Sequence, residues 1–313
     1  MKECELSIVV LSFNRKEELE ANIPAMCEMV ASAGWELIVV DNGSTDGSIE
    51  YLRSIEGPAG RFFLLESGAN LGVAGGRNLG WARASGDFIL NIDDDAFICF
   101  DDVCALLDFM RENRDVGIAS PRVVHKMTRA AQCDHGSDLV KISNFHGACH
   151  IVRRDVYSEV GGLDELCSFG GEELDYSIRV RNAGFEVVYI PGSVAEHNNF
   201  QRAGSEGDRR RISWVWNFSR VLFKNFPVSM AAVFSVRLAF MHFIYMLRAL
   251  KFALAVRLLV ACFSGCLRGF SGRSIASPDV LRFYASHQLR PDYGNVPIAV
   301  KIFRSLSSRF ARD

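Results

Sequence analysis

Four short apolar runs in the first hundred positions limit this chain to very few folds. They are Leu6–Phe13 (LSIVVLSF), Glu36–Val40 (ELIVV), Phe62–Glu66 (FFLLE) and Phe88–Ile92 (FILNI). Each has the length of a strand, and none alternates apolar with polar, so each asks for cover on both faces. The stretches between them have helical character: about Lys16 to Ala33, introduced by Asn14, then Ile49–Ile55 and Gly76–Ala84. An amphipathic helix over roughly Asp101–Asn113 follows the fourth run. Strand and helix in alternation predict an α/β fold whose mixed, mostly parallel sheet carries helices on both faces. Ligands in such sheets bind beyond the carboxyl ends of the strands.

Polar residues collect at those ends. Asp41 follows ELIVV directly, in the segment Asp41–Gly47 (DNGSTDG). A carboxylate there can accept hydrogen bonds from a base or ribose, and it can equally organise a turn with its neighbouring glycines. The fourth run ends in Asp93-Asp94-Asp95. Adjacent acids repel, and their desolvation is costly unless a cation compensates. In an extended segment Asp93 and Asp95 share one side and Asp94 takes the other. Two carboxylates facing phosphate oxygens suit Mg²⁺ or Mn²⁺, which prefer hard oxygen ligands. A solvated acidic loop is the plainer reading, but closure of a buried strand favours metal. Between the two clusters, Asn70–Asn78 (NLGVAGGRN) reads as a glycine-rich loop entering a helix, with free N–H groups and Arg77 for an anion. Further on, Phe169–Tyr176 (FGGEELDY) opens a helix with Glu172, Glu173 and Asp175. Acids there favour the helix dipole, and a transfer to a hydroxyl also needs one of them as base.

The succession SIVVLSFNR, VVDNGSTDGS, NLGVAGGRNLG, ASGDFILNIDDDA, FHGACHIVRRDVYSEVGGLDE, GGEELDYSIRVRNAG and IPGSVAEH resembles glycosyltransferase family 2, of the GT-A fold, over roughly residues 6–200. The resemblance implies a Rossmann-like nucleotide-diphospho-sugar transferase with a DxD metal motif that inverts the anomeric carbon by direct displacement. Carried over by position, Asp41 would bind the nucleobase, Asp93 would sit near ribose or metal, and Asp95 would ligate the metal. Asn14, Asn70, Arg77 and Asp94 complete the expected donor set. Glu173 inherits the role of base, although the usual pattern is Glu-Asp-x-Asp and the extra methylene leaves Glu172 and Asp175 as alternatives. His197, in Ala195-Glu196-His197, falls where many relatives place a histidine near the metal. Trp216–Arg220 (WNFSR) with Asn225-Phe226-Pro227 resembles the downstream region of rhamnosyltransferase-like members.

The second half is of another character. Residues 1–208 hold 18 Lys/Arg against 34 Asp/Glu, whereas residues 209–313 hold 17 against 3. That split predicts a catalytic domain over 1–208 and a basic, apolar helical region over 209–313. Its longest uncharged stretches are Asn225–Val236, Leu238–Leu247 and Leu258–Leu267, short of the roughly 20 residues a span requires. Arg237, Arg248 and Lys251 fall on one helical face, as do Arg257 and Arg268. Basic stripes on apolar helices fit an anionic membrane surface better than a buried bundle, and the density of Phe and Leu fits nucleic acid poorly. Nine cysteines without a CxxC pair, and a strand beginning at Leu6, lead us to expect a cytoplasmic protein peripheral on the inner face of the cell membrane. The function expected is sugar transfer from a nucleotide-diphosphate sugar to a hydroxyl of a glycan or lipid-linked acceptor. A non-catalytic scaffold on the same fold is the alternative, and retention of Asp41 and the acidic clusters argues against it.

Overall fold

A computed structural model describes residues 4–198 and 205–286. The first apolar run forms β1 (Leu6–Ser12), followed by α1 (Lys16–Ala33), β2 (Glu36–Asp41), α2 (Ser48–Ser54) and β3 (Phe62–Glu66). Then come α3 (Gly72–Arg83), β4 (Phe88–Asp93), β5 (Ala96–Ile98) and α4 (Phe100–Glu112). The chain continues through β6 (Val116–His125), β7 (Ala131–Cys133), β8 (Val140–Lys141), β9 (Cys149–Arg153), α5 (Arg154–Val160), α6 (Glu172–Asn182) and β10 (Glu186–His197).

The sheet runs in the order β3-β2-β1-β4-β9-β6-β10-β5, with β7 beside β6 and β8 beside β10. β3, β2, β1 and β4 are parallel, as the unbroken apolar runs require. β9 enters antiparallel to both β4 and β6, and β10 then runs parallel to β6. The mixed, mostly parallel sheet is therefore as expected. Its core is built on three of the apolar runs, with Ile8, Val10, Leu37, Ile38, Val40, Ile89 and Leu90 almost wholly buried, whereas β3 lies at the sheet edge and is only half-buried.

The glycine-rich segment departs from expectation. It is no loop, because α3 begins at Gly72 and contains it. A Cβ at Gly76 would collide with Leu11 and one at Gly80 with Val9, so the glycines let α3 lie flush on β1. Their role here is helix–strand packing, and Arg77 sits inside the helix with its side chain buried.

The second half forms α7 (Ser205–Asn225), α8 (Val228–Arg248), α9 (Phe252–Ser271) and α10 (Pro278–Ala285). A second apolar core joins these helices to Cys167 and to Leu174 and Ile178 of α6. Polar contacts add to the seam. Arg220 and Lys224 of α7 reach Asp164 at 2.9 and 2.7 Å, and Lys224 also reaches Asp175 at 2.8 Å. Asn217 donates to the Phe169 carbonyl at 2.9 Å, and the Tyr284 hydroxyl to the Ser143 carbonyl. Within the bundle α7 and α9 meet backbone to backbone. A Cβ at Gly265 would strike the Trp216 carbonyl, and one at Gly269 the Arg220 carbonyl.

Two expectations for this half are corrected. α8 and α9 are each long and apolar enough to cross a membrane by length and composition, because single arginines interrupt the apolar runs without ending the helices. Lys251 does not share a face with Arg237 and Arg248. α8 ends at Arg248, Leu250 turns the chain with a positive φ, and Lys251 pairs with Asp208 at 2.7 Å.

Candidate active site

The acidic triplet is held where β4 leaves the sheet, and the chain there forms a tight turn into β5 rather than an extended segment. Three contacts fix that turn. The Asp93 N–H donates to the Ala148 carbonyl, the Asn22 amide to the Asp94 carbonyl, and the Asn198 N–H to the Asp95 carbonyl, at 2.8–3.0 Å. The turn still places Asp93 and Asp95 together. With His197 at the end of β10 their ligand atoms lie within 4.8 Å of one another, and Asp94 is outside the group. His197 Nε2 stands 3.0 Å from Asp95 Oδ1 and 3.9 Å from Asp93 Oδ2.

This donor set fits a hard divalent cation. His197 Nδ1 lies 2.6 Å from Gln132 Oε1, so in the neutral ring Nδ1 carries the proton and Nε2 turns its lone pair to the carboxylates. Burial opposes charging of that imidazole, but the hydrogen bond to Asp95 and the surrounding carboxylates raise it above the ordinary histidine value. The Asp94 carboxyl is pushed up to about 8, by burial first and by Asp95 next. Among the described residues, the cations paired with these carboxylates are Arg15, 3.5 Å from Asp95, and Arg77, 2.8 Å from Asp93.

Arg77 spans the site. Its Nη2 donates to Asp93 Oδ1 and to the Gly147 carbonyl, both at 2.8 Å, while Nη1 is buried without a partner. Glu172 and Glu173, in the first turn of α6, are the next charges upon it. Both carboxyls are raised by burial, and the Arg77 charge opposes the rise. Glu172 is 2% exposed, with one oxygen buried and unpartnered, whereas Glu173 opens further onto the cavity. Asp175 is turned away. It is fully buried, paired with Arg179 and Lys224 at 2.8 Å and hydrogen-bonded by Asn225, and it does not line the cavity. Its carboxyl is lowered despite burial because Arg179 and Lys224 outweigh the desolvation.

Arg15, Arg77, the acidic triplet, Glu172, Glu173 and His197 border one cavity of about 670 Å³ at the carboxyl ends of the strands. Asn70 lines it while its Oδ1 accepts the Gly72 N–H. Asn14 and Asp41 do not line it. Asn14 accepts the Thr45 N–H, and Asp41 accepts those of Gly43 and Ser44 with its other oxygen buried and unpartnered, so both shape the 42–47 loop. Several more residues line the cavity. Arg15 follows β1 at its carboxyl end, a position the strand-end rule does flag. His146 is pushed down to about 3, chiefly by burial, and so stays neutral. Arg209, Arg210, Ser213, Trp214 and Phe218 come from α7, so the basic half completes the cavity wall.

Comparison with known proteins decides the family. The model described as Glycosyl transferase family group 2 matches residues 88–286, well over half the chain, and Glycosyl transferase family 2 matches residues 7–161. The chain belongs to the family 2 glycosyltransferases. Its family 2 fold is also seen in a mannosyltransferase from Pyrobaculum calidifontis, solved in complex with GDP-Man and Mn²⁺. The two share 16% identity over 84% of this chain and 76% of the other, with a TM-score of 0.58. GalNAc-T7 with UDP, GalNAc and Mn²⁺ gives 0.55 at 12% identity, over 72% and 49%. These likenesses show the GT-A fold. A low-salt glycan biosynthesis hexosyltransferase of Haloferax volcanii is 21% identical over 62% of this family 2 chain and 67% of its own length. An N-acetylglucosaminyl-diphospho-decaprenol L-rhamnosyltransferase of Mycobacterium tuberculosis is 33% identical over 19% and 20%. The chain spans only 25% of a Sinorhizobium fredii relative and 43% of an uncharacterized glycosyltransferase of Haemophilus influenzae.

Proposed function

We propose that this chain transfers a sugar from a nucleotide-diphosphate donor to a hydroxyl of a glycan or lipid-linked acceptor, with inversion at the anomeric carbon. The observation that carries this reading is the meeting of two carboxylate groups in one cavity. Asp93 and Asp95 with His197 form one, Glu172 and Glu173 the other, and Arg77 is close to both. The names of the Haloferax and Mycobacterium relatives agree with glycosyl transfer.

Mn²⁺ or Mg²⁺ held by Asp93, Asp95 and His197 supplies, when bound, charge neutralisation for a departing diphosphate. The protein's own groups do the rest. Arg77 holds Asp93 toward its neighbours and keeps positive charge beside the glutamates. Glu173 takes the proton. As the acceptor oxygen bonds to the anomeric carbon, its O–H electrons stay with oxygen and the proton passes to the Glu173 carboxylate. The anomeric bond to the diphosphate breaks on the opposite face, and its electron pair leaves with the nucleoside diphosphate. Burial makes Glu173 a stronger base than a solvated glutamate, and Arg77 favours its ionised starting form. The test is Glu173→Gln. Transfer should fall by about 10²-fold or more with nucleotide affinity retained, because the base acts only as the bond forms. Undiminished turnover in that variant would remove Glu173 from the role.

The same reading makes the protein peripheral on the cytoplasmic face of a membrane. It is supported by exposed Val233, Val236, Phe240, Phe263 and Leu267 on the outer faces of α8 and α9, flanked by exposed Arg248, Arg257 and Arg268. Sedimentation with anionic but not neutral vesicles, weakened by salt, is the expected result. Indifference to anionic vesicles would remove the membrane from the account.

A further inference from the structure

A second hollow, of about 690 Å³, lies between α7 and α9 and shares Arg209 and Ser213 with the active-site cavity. Small-molecule sites run from roughly 300 to 1,000 Å³, so its size is that of a ligand site. Ile212 and Trp216 of α7 and Val256, Val260 and Ala261 of α9 make its apolar wall. Val256 and Val260 are one helical turn apart and 60% and 61% exposed, on the same helix as exposed Phe263 and Leu267. Two cations border the hollow, Arg209 and Arg257, and among the described residues neither is drawn into an ion pair or hydrogen bond. The ligand such a trough favours has a hydrocarbon chain, an anionic group next to it, and a polar end small enough to enter the neighbouring cavity.

We propose that the groove between α7 and α9 binds the hydrocarbon chain of a lipid phosphate or diphosphate that carries the acceptor hydroxyl. Arg209 and Arg257 attract the phosphate, and the polar end passes Ser213 toward Glu173. The inference rests on the glycosyl-transfer reading and narrows its acceptor to the lipid-linked class. A water-soluble glycan has no group that uses the valine-lined wall. A phospholipid surface alone would account for the outer apolar face, but not for a hollow that shares Arg209 and Ser213 with the catalytic cavity.

The test uses the full chain, with farnesyl phosphate as probe and tryptophan fluorescence as readout, since Trp216 lines the groove. Farnesyl phosphate should bind at least about tenfold more tightly than farnesol or inorganic phosphate. The double variant Val256→Glu, Val260→Glu should lose about tenfold or more of that affinity, because a carboxylate repels the phosphate and desolvates badly against the chain. Both positions are exposed, so the fold should tolerate the change, and Mn²⁺-dependent binding of UDP or GDP serves as the check on folding. Binding no tighter than inorganic phosphate, or unchanged in the double variant, overturns the proposal. So does sedimentation with anionic vesicles by a protein that ignores monomeric farnesyl phosphate, which would make the surface a general membrane patch. Failure of the wild type to bind either nucleotide with Mn²⁺ would instead strike the glycosyl-transfer reading, while the farnesyl phosphate result still reports on the groove.

Discussion

The three acids at the start of α6 divide into two roles, and Lys224 is the residue that tests the division. Its ammonium bridges Asp164 and Asp175 at 2.7 and 2.8 Å, and its side chain is 19% exposed. Lys224→Met keeps the apolar stem and deletes the charge. Breaking a buried pair by removing one partner costs about 3–5 kcal/mol. Asp175 would keep Arg179 and Asn225, and Asp164 would keep Arg220, so the lower end, about 3 kcal/mol, applies. At roughly 2 °C per kcal/mol for a chain of this size, the melting temperature should fall about 6 °C. Asp175→Asn should fall by a similar amount, and the two together by clearly less than the sum, because each single change strands the other's charge. Transfer measured well below melting should survive in all three to within a few-fold. The pH dependence follows from the same groups. Asp164 is lowered to about 2, its burial outweighed by Lys224 and Arg220. A depressed carboxyl contributes stability above its unfolded value near 3.9 and loses it as pH falls through the folded one. The wild type should therefore lose stability between about pH 4 and 2, and Lys224→Met should lose less across that window. If Asp175→Asn melts within about 1 °C of the wild type yet abolishes transfer, Asp175 belongs to the chemistry and the division is wrong.

Asp95→Ala should remove most transfer and the Mn²⁺ dependence of nucleotide binding, while Asp94→Ala should be milder, since only Asp93, Asp95 and His197 converge; equal small effects in a transfer assay would end the metal assignment. Gln132→Ala should weaken Mn²⁺ affinity by about tenfold through the freed His197 ring, as measured by calorimetry. Arg77→Met should lower both nucleotide affinity and turnover, because it frees Asp93 and strips positive charge from Glu172 and Glu173; normal kinetics in that variant would make Arg77 a packing residue only.

Much of the fold was legible because local pattern decided it. The four apolar runs became parallel β1 to β4, and α1 occupies the expected span of Lys16–Ala33. The acidic triplet was found from its place at a strand end and His197 from the family resemblance, although β4 and β10 meet there through β5. What remained hidden depended on partners far along the chain. Nothing local separates Asp175 from Glu173, and Lys224, which does separate them, is 49 residues beyond Asp175. The glycines of α3 read as an anion loop because the Leu11 and Val9 side chains they receive belong to another strand. Lys251 was assigned to a stripe by counting alone, which cannot see the turn at Leu250.

The glycine seam of the bundle carries a consequence for how the protein meets its surroundings. Helices that touch backbone to backbone are held by close van der Waals contact, a force that does not depend on expelling water. Gly265 and Gly269 put α9 against Trp216 and Arg220 in that manner. The pair should therefore keep its register whether aqueous solvent or hydrocarbon lies on the far side of α9. Since the opening turns of the same α7 carry Arg209, Arg210 and Trp214 into the cavity wall, the outer helix can change its medium while the inner one stays fixed.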